Sequence, residues 1–210
     1  MTKSAISILS TILLAVSVAS SQQNAGFHVS PEIRVQVIQV PDIPLTISQA
    51  KLEVESGINV YRLKFKIKNT GTSLKSIRLL ILAASADDSV KGGETLCQAE
   101  VPAPGKERKY VIPLATKFTE DADHAILSFL QVKQIDGEQR TIGAKQVLAA
   151  LSTKTDLVQD SLISNSAVPD LLCDRTFCSD CVQLARDVCT KGVHSVQCII
   201  NTCSCSFVCN

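Results

Sequence analysis

The C-terminal end of this chain is dominated by cysteine. Eight of the nine cysteines fall within the last 38 residues. They are Cys173, Cys178, Cys181, Cys189, Cys198, Cys203, Cys205 and Cys209. A segment of about 40 residues buries too little apolar surface to fold without cross-links. The sequence therefore predicts a small cross-linked domain over residues 172–210 that needs almost no apolar core.

Two kinds of cross-link could hold such a domain. Cys178 and Cys181 have the C-x2-C spacing of a zinc site. A zinc module generally shows two such pairs, however, and this segment shows one. We therefore predict disulfides at all eight cysteines, with no metal and no cofactor. Their pairing stays open, because eight cysteines allow on the order of 100 connectivities.

The spacing of three of these cysteines predicts a short helix. Cys178, Cys181 and Cys189 fall near one face of a helix with 3.6 residues per turn. Residues 196–202 fit either a second helical turn or a strand.

The N-terminal residues 1–20 have the three parts of a signal peptide. Lys3 gives a positive start, residues 6–18 are mostly apolar, and small residues then allow cleavage after Ala19 or Ser20. The apolar run of about 13 residues is shorter than the roughly 20 that a membrane-spanning helix needs. We expect an exported protein, secreted, periplasmic or at the cell surface, whose mature chain has no membrane span. Export also favours disulfides over free thiols.

Charge and aromatic content disfavour several kinds of partner. The chain has 21 basic and 20 acidic residues, with a formal net charge of +1. This balance gives no overall electrostatic attraction to nucleic acid. Aromatic residues make up 4% of the chain and tryptophan is absent, which disfavours sites that stack a ligand on flat rings.

Residues 28–143 are predicted to form two packed antiparallel sheets. Tyr61 to Lys68 alternate apolar and cationic residues, as in a strand with one buried and one solvated face. The cations could form an anion-binding stripe, although a solvated sheet face is the simpler interpretation. Residues 77–83 are apolar on both faces, as in a central strand. Seven or eight short strands without intervening helices are typical of a β-sandwich.

This segment resembles the immunoglobulin-like modules of exported proteins. The resemblance lies in Val60 to Leu82, where an alternating strand leads through Asn69 and Gly71 into an apolar strand. It implies an immunoglobulin-like antiparallel β-sandwich over residues 28–143, in a module that binds, spaces or presents other molecules. The Cys…Trp…Cys core of antibody domains is absent from these residues, which contain one cysteine and no tryptophan.

The pattern changes after the predicted sandwich. Apolar residues at Val147, Leu148 and Leu151 recur at helical spacing, and we predict a helix over residues 144–163. Small and polar residues with a proline then predict a linker at residues 164–171.

The remaining candidates for chemistry give weak signals. Cys97 is the odd cysteine; burial in a strand is favoured, while a reactive thiol or a bridge between two copies of the chain stays open. The three histidines, His28, His124 and His194, lie in no metal-ligand or catalytic spacing. We identify no catalytic motif and predict a non-enzymatic protein.

Three hypotheses for function follow. The first is an exported binding or structural protein whose disulfide-rich domain recognises an extracellular protein or a cell-surface component. The alternative is a secreted precursor whose tail is released as a toxin or inhibitor peptide. A redox enzyme using Cys178 and Cys181 is the weakest, because the βαβ context of such motifs is missing.

Overall fold

The computed structural model describes residues 27–29, 33–41, 43–55, 60–98, 100–114, 122–153 and 176–210. The predicted signal peptide at residues 1–20, the predicted linker at 164–171 and Cys173 lie outside the described residues. The strands and helices in chain order are β1 (Phe27–Val29), β2 (Arg34–Ile38), β3 (Leu45–Glu55), β4 (Val60–Asn69), β5 (Leu74–Ala84), β6 (Val90–Gln98), β7 (Glu107–Pro113), β8 (His124–Gln134), β9 (Gln139–Thr141), α1 (Ala144–Thr153), α2 (Thr176–Val188), β10 (Val193–Ile199) and β11 (Ser204–Cys209).

The strands form two sheets, which confirms the prediction of a mainly β chain. The first sheet has the order β1-β3-β4-β7. The second has the order β10-β11-β6-β5-β8-β2, with β9 also paired to β8. The pairs are antiparallel as expected, with one exception: β2 runs parallel to β8, from Arg34 opposite His124 to Ile38 opposite Ser128.

Both sheets contribute to one hydrophobic core. In β4 the predicted alternation is present, since Leu63, Phe65 and Ile67 are at most 1% exposed while the cations between them face outward. In β5 the run from Leu79 to Leu82 is buried at every position. A strand that is buried at successive residues has both of its faces covered, and β5 also lies between β6 and β8, so it is a central strand, as the sequence predicted.

The turn between β4 and β5 depends on Asn69. This residue is fully buried, and its side-chain amide donates to the carbonyl oxygens of Thr72 and Pro102, both at 2.9 Å. Its side-chain oxygen accepts a hydrogen bond from the Gly71 backbone N–H at 3.0 Å. Asparagine thus supplies hydrogen bonds that the turning backbone lacks.

A helix begins at Ala144, as predicted, and α1 is described through Thr153. Val147 and Leu151 are buried on its inner face. The Gln146 side chain accepts a hydrogen bond from the Gly143 N–H at 2.9 Å, which fixes the start of the helix. The remainder of the predicted range, to residue 163, lies outside the described residues.

The C-terminal segment is joined to the second sheet by backbone pairing. After α2, strands β10 and β11 form a hairpin, and β11 pairs antiparallel with β6 from Ser204 opposite Leu96 to Val208 opposite Gly92. The sequence indicated that disulfides could hold this tail with almost no apolar core, but the tail also buries apolar side chains. Phe177 and Phe207 are 4% and 1% exposed, because the hairpin extends the sheet and the helix packs on it.

Candidate binding surface

Three disulfides join α2 and the residue that follows it to the β10–β11 hairpin. They pair Cys178 with Cys198, Cys181 with Cys205, and Cys189 with Cys209, over Cα–Cα distances of 5.7, 6.2 and 5.3 Å. Cys203 is also disulfide-bonded. The paired cysteines are 20 to 24 residues apart in sequence. In the chain-entropy account, each such loop stabilises the fold by about 3 kcal/mol.

The helix itself follows from its apolar stripe, as the cysteine spacing predicted. The buried residues of α2 recur at intervals of one, three and four along one helical face. They are Phe177, Cys181, Leu184, Ala185 and Val188. This stripe lies against β10, β11 and β6, so α2 forms a layer on the second sheet that its disulfides hold in place.

Arg78 lies beneath this helix, on the central strand β5. Its guanidinium carbon is 4.6 Å from the centroid of the Phe177 ring. Its Nη2 donates to Thr95 Oγ1 at 3.4 Å, and its Nη1 is 4.0 Å from a carboxylate oxygen of Asp180. The side chain is 13% exposed. A cation–π contact, one long hydrogen bond and one long ion pair therefore hold this charge.

These contacts leave Arg78 short of acceptors. Its Nε is buried and has no hydrogen-bond partner among the described residues. Burial lowers the pKa of the guanidinium, while nearby Cys97 and Asp180 act in the opposite direction. Arginine stays protonated in proteins, so the buried charge persists and favours a further acceptor.

A groove of about 460 Å³ opens beside Arg78, between α2 and strands β8 and β9. Most of its lining residues are polar, and they include Arg78, Gln131, Thr141, Asp180, Gln183 and Asp187. The volume is within the range of small-molecule and peptide sites. Amide, hydroxyl, carboxylate and guanidinium groups together can pair with both the donors and the acceptors of a ligand.

The free thiol of Cys97 lies near the groove, under the same helix. It packs against the cluster of Phe177, Cys181 and Cys205, and its backbone N–H donates to the carbonyl of Cys203 at 3.2 Å. Burial raises the pKa of the Cys97 thiol, and Arg78 opposes this rise. Partial burial in a strand agrees with the favoured interpretation from sequence, while a reactive thiol and a bridge between two chains stay open as alternatives.

The other candidates are not brought together at this surface. His124 lies elsewhere, with its Nε2 at 3.2 Å from a carboxylate oxygen of Asp88. His194 is exposed on β10, and the His28 side chain is outside the described part of the structure. Within the described ranges, no three His, Cys, Asp or Glu residues could hold a metal ion. None of the described helices is long and apolar enough to cross a membrane.

Sequence reasoning missed Arg78, Phe177 and Asp180. The available signal was Arg78 itself, a charged residue inside the apolar run at 77–83. A charge in a strand that is buried on both faces needs a specific environment. Phe177 and Asp180 could not be associated with it in advance, because 98 or more residues separate them from Arg78 in the chain.

No protein-family model, curated protein or solved structure matches this chain. Function is therefore inferred from the sequence and from the geometry of the described residues.

Proposed function

We propose that this chain is an exported, non-enzymatic binding protein that recognises its partner through the groove between α2 and the second sheet. The observation that carries this proposal is the buried guanidinium of Arg78, which lacks a full set of acceptors at the edge of the groove. A carbonyl or carboxylate oxygen of a bound partner would accept hydrogen bonds from the η nitrogens, because the side chain is 13% exposed although Nε itself is buried. The partner is an extracellular protein or a cell-surface component.

The rigidity of the groove wall supports the same role. Two disulfides leave α2 directly, at Cys178 and Cys181, and a third follows its last turn at Cys189. A wall fixed in this way loses little conformational freedom when a partner binds. Such preorganisation raises affinity without adding contacts.

The frame that carries the groove is proposed to be an immunoglobulin-like sandwich. The neighbours β3-β4-β7 in one sheet and β6-β5-β8-β9 in the other support this assignment, since the chain passes between the sheets after β4, β6 and β7. Crossings of this kind are typical of Greek-key sandwiches. The buried Asn69 turn, which carried the resemblance in the sequence, has the hydrogen bonds described above.

Release of the tail as a peptide receives no support from these contacts. Strand β11 is paired with β6 over five residues, and Phe207 is 1% exposed. Cutting the chain before α2 would leave this pairing and this burial intact. The C-terminal segment therefore acts as part of the binding surface and not as a peptide that is released.

The test is a comparison of partner capture by matched variants. Gln183→Arg places a bulky cation in the groove, whereas Gln197→Arg makes the same change on exposed β10. Each purified protein is immobilised and exposed to extracellular fluid of the source organism, and bound proteins are quantified by mass spectrometry. We expect a partner that wild type and Gln197→Arg retain and Gln183→Arg loses. Equal retention by all three proteins, or no specific retention, would refute the groove as the binding surface.

A further inference from the structure

Four lysines surround one hollow on the outer face of the first sheet. Lys51 on β3, Lys64 and Lys66 on β4, and Lys109 on β7 line a space of about 430 Å³. They come from three neighbouring strands, and their side chains point away from the core. The hollow is on a different sheet from the groove and is independent of it.

The register of the strands places these lysines in facing pairs. Lys51 is directly opposite Lys64, and Lys66 is directly opposite Lys109. Like charges that face each other across two strands destabilise a sheet. A solvated sheet face needs polar residues at these positions but does not need two adjacent pairs of the same sign. The arrangement therefore opposes stability and needs another explanation.

The carboxylates nearby compensate this charge only in part. Glu53, which is 4% exposed, holds both lysines of the first pair, with Nζ–Oε distances of 3.0 Å to Lys51 and 2.5 Å to Lys64. Lys66 pairs with Glu107 at 2.8 Å. Lys109 makes no ion pair with any residue in the described ranges. Four ammonium groups thus meet two carboxylates, although the whole chain has a net charge of only +1.

The hollow between the lysines comes from an irregularity in β3. The register with β4 shifts between Ser48 and Lys51, and Gln49 has a φ of 52° in the left-handed region. Phe65 lies beneath the opening and stacks on Tyr110 with ring centroids 5.3 Å apart. Such bulges bend a strand and redirect its side chains. Here the bend leaves a concave floor with cations on its rim.

We propose that this hollow binds a sulfated polysaccharide. Closely spaced ammonium groups in a concave site suit a chain that carries several sulfate groups, each of which can pair with one or two lysines. The competing ligand is an anionic membrane surface. A flat sheet of lipid headgroups would contact the lysines only from outside the rim, where the 43% exposed Glu107 would repel it, whereas a narrow chain can enter the hollow between the lysines. The concavity therefore favours a narrow chain over a membrane.

The test measures binding of size-defined heparin oligosaccharides by titration calorimetry at physiological ionic strength. We expect Lys66→Gln combined with Lys109→Gln to weaken binding about tenfold, which is the effect of losing two partly exposed ion pairs. The matched control changes two lysines on the α2 side of the molecule, Lys145→Gln and Lys191→Gln, and should change affinity less than about twofold. A higher salt concentration should weaken heparin binding by the wild-type protein more than heparin binding by the double variant at Lys66 and Lys109.

A stability measurement separates a binding role from a structural one. Because Lys109 faces Lys66 and has no ion pair with a described residue, Lys109→Gln should raise the melting temperature while it weakens heparin binding. A lower melting temperature would show that the lysine supports the fold and would overturn the argument. Absence of heparin binding, equal losses in both double variants, or binding to phosphatidylserine vesicles but not to heparin would each overturn the proposal.

Discussion

The close approach of β11 to β6 predicts that Gly93 cannot be replaced without cost. A Cβ atom at this position would lie 2.6 Å from Leu82 Cδ2, 2.6 Å from Phe207 Cζ and 2.9 Å from the carbonyl oxygen of Ile81. Ordinary carbon contacts are about 3.5–4.0 Å. The two side chains can move, but the Ile81 oxygen belongs to the backbone of the neighbouring strand. Gly93→Ala therefore overpacks the junction between the C-terminal segment and the sheet.

The expected change in the free energy of unfolding is the balance of two opposing effects. Overpacking of a core site costs about 1–3 kcal/mol, while replacing glycine restricts the unfolded chain and returns about 0.4–1 kcal/mol. We expect Gly93→Ala to lower the free energy of unfolding by about 1–2 kcal/mol. Phe207→Leu removes the ring atom that the added methyl group would contact. The free energy of unfolding of the double variant should therefore fall by about 1 kcal/mol less than the sum of the two single decreases.

Urea unfolding of the four proteins, with the disulfides intact, measures this coupling. Val208→Ala is the control on the same strand, because Val208 is 36% exposed and its loss should add to that of Gly93→Ala. A coupling below about 0.3 kcal/mol between Gly93 and Phe207, or a neutral Gly93→Ala, would refute the packing of β11 on β6.

Three further predictions concern ionisation and sulfur. The hydrogen bond from Lys64 holds the pKa of Glu53 in the folded protein below its ordinary value of 4.5. The ionised Glu53 therefore stabilises the fold fully above pH 4.5, and this stabilisation is lost as the pH falls through the lowered pKa of the folded state. Glu53→Gln should therefore lower the free energy of unfolding by about 1–2 kcal/mol at neutral pH. In thermal melts, the difference in stability between this variant and wild type should shrink as the pH is lowered. A difference that does not change with pH would contradict the ionic role of Glu53. Cys97 should react slowly with iodoacetamide in the native protein and rapidly in denaturant, as mass spectrometry would show, and equal rates would contradict its burial. Peptide mapping should find Cys203 joined to Cys173, because every other cysteine is either in one of the three disulfides above or is the free Cys97. Any other partner of Cys203 would contradict this disulfide pattern.

Features set by neighbouring residues could be predicted from the sequence. The alternation of β4 is visible because a half-buried strand repeats every two residues. The turn at Asn69 is visible because asparagine and glycine favour turning backbone. The helix α2 is visible because Cys178 and Cys181 repeat at helical spacing with the apolar residues around them.

Features set by distant contacts could not be predicted in this way. The pairing of β11 with β6 joins residues such as Phe207 and Gly93, and no local pattern favours that register over others. The disulfide pairing depends on which hairpin residues lie over α2, so it follows from the fold and not from the spacing. The irregularity at Gln49, which opens the lysine hollow, also leaves no sequence signal, since glutamine rarely adopts a positive φ.

The central claim is that the disulfide-linked C-terminal segment is built into the second sheet and forms one binding surface with it. In the most direct test, a protease site is inserted in the predicted linker at residues 164–171 and the purified protein is cut there. The elution volume of the cut protein in size-exclusion chromatography is then compared with that of the intact chain. These three disulfides all lie on the C-terminal side of the cut, so only noncovalent contacts, namely the pairing of β11 with β6 and the packing around it, can hold the two pieces together. We predict that the pieces elute as one complex in native buffer and separate only in denaturant. A C-terminal fragment that elutes alone in native buffer would contradict the claim.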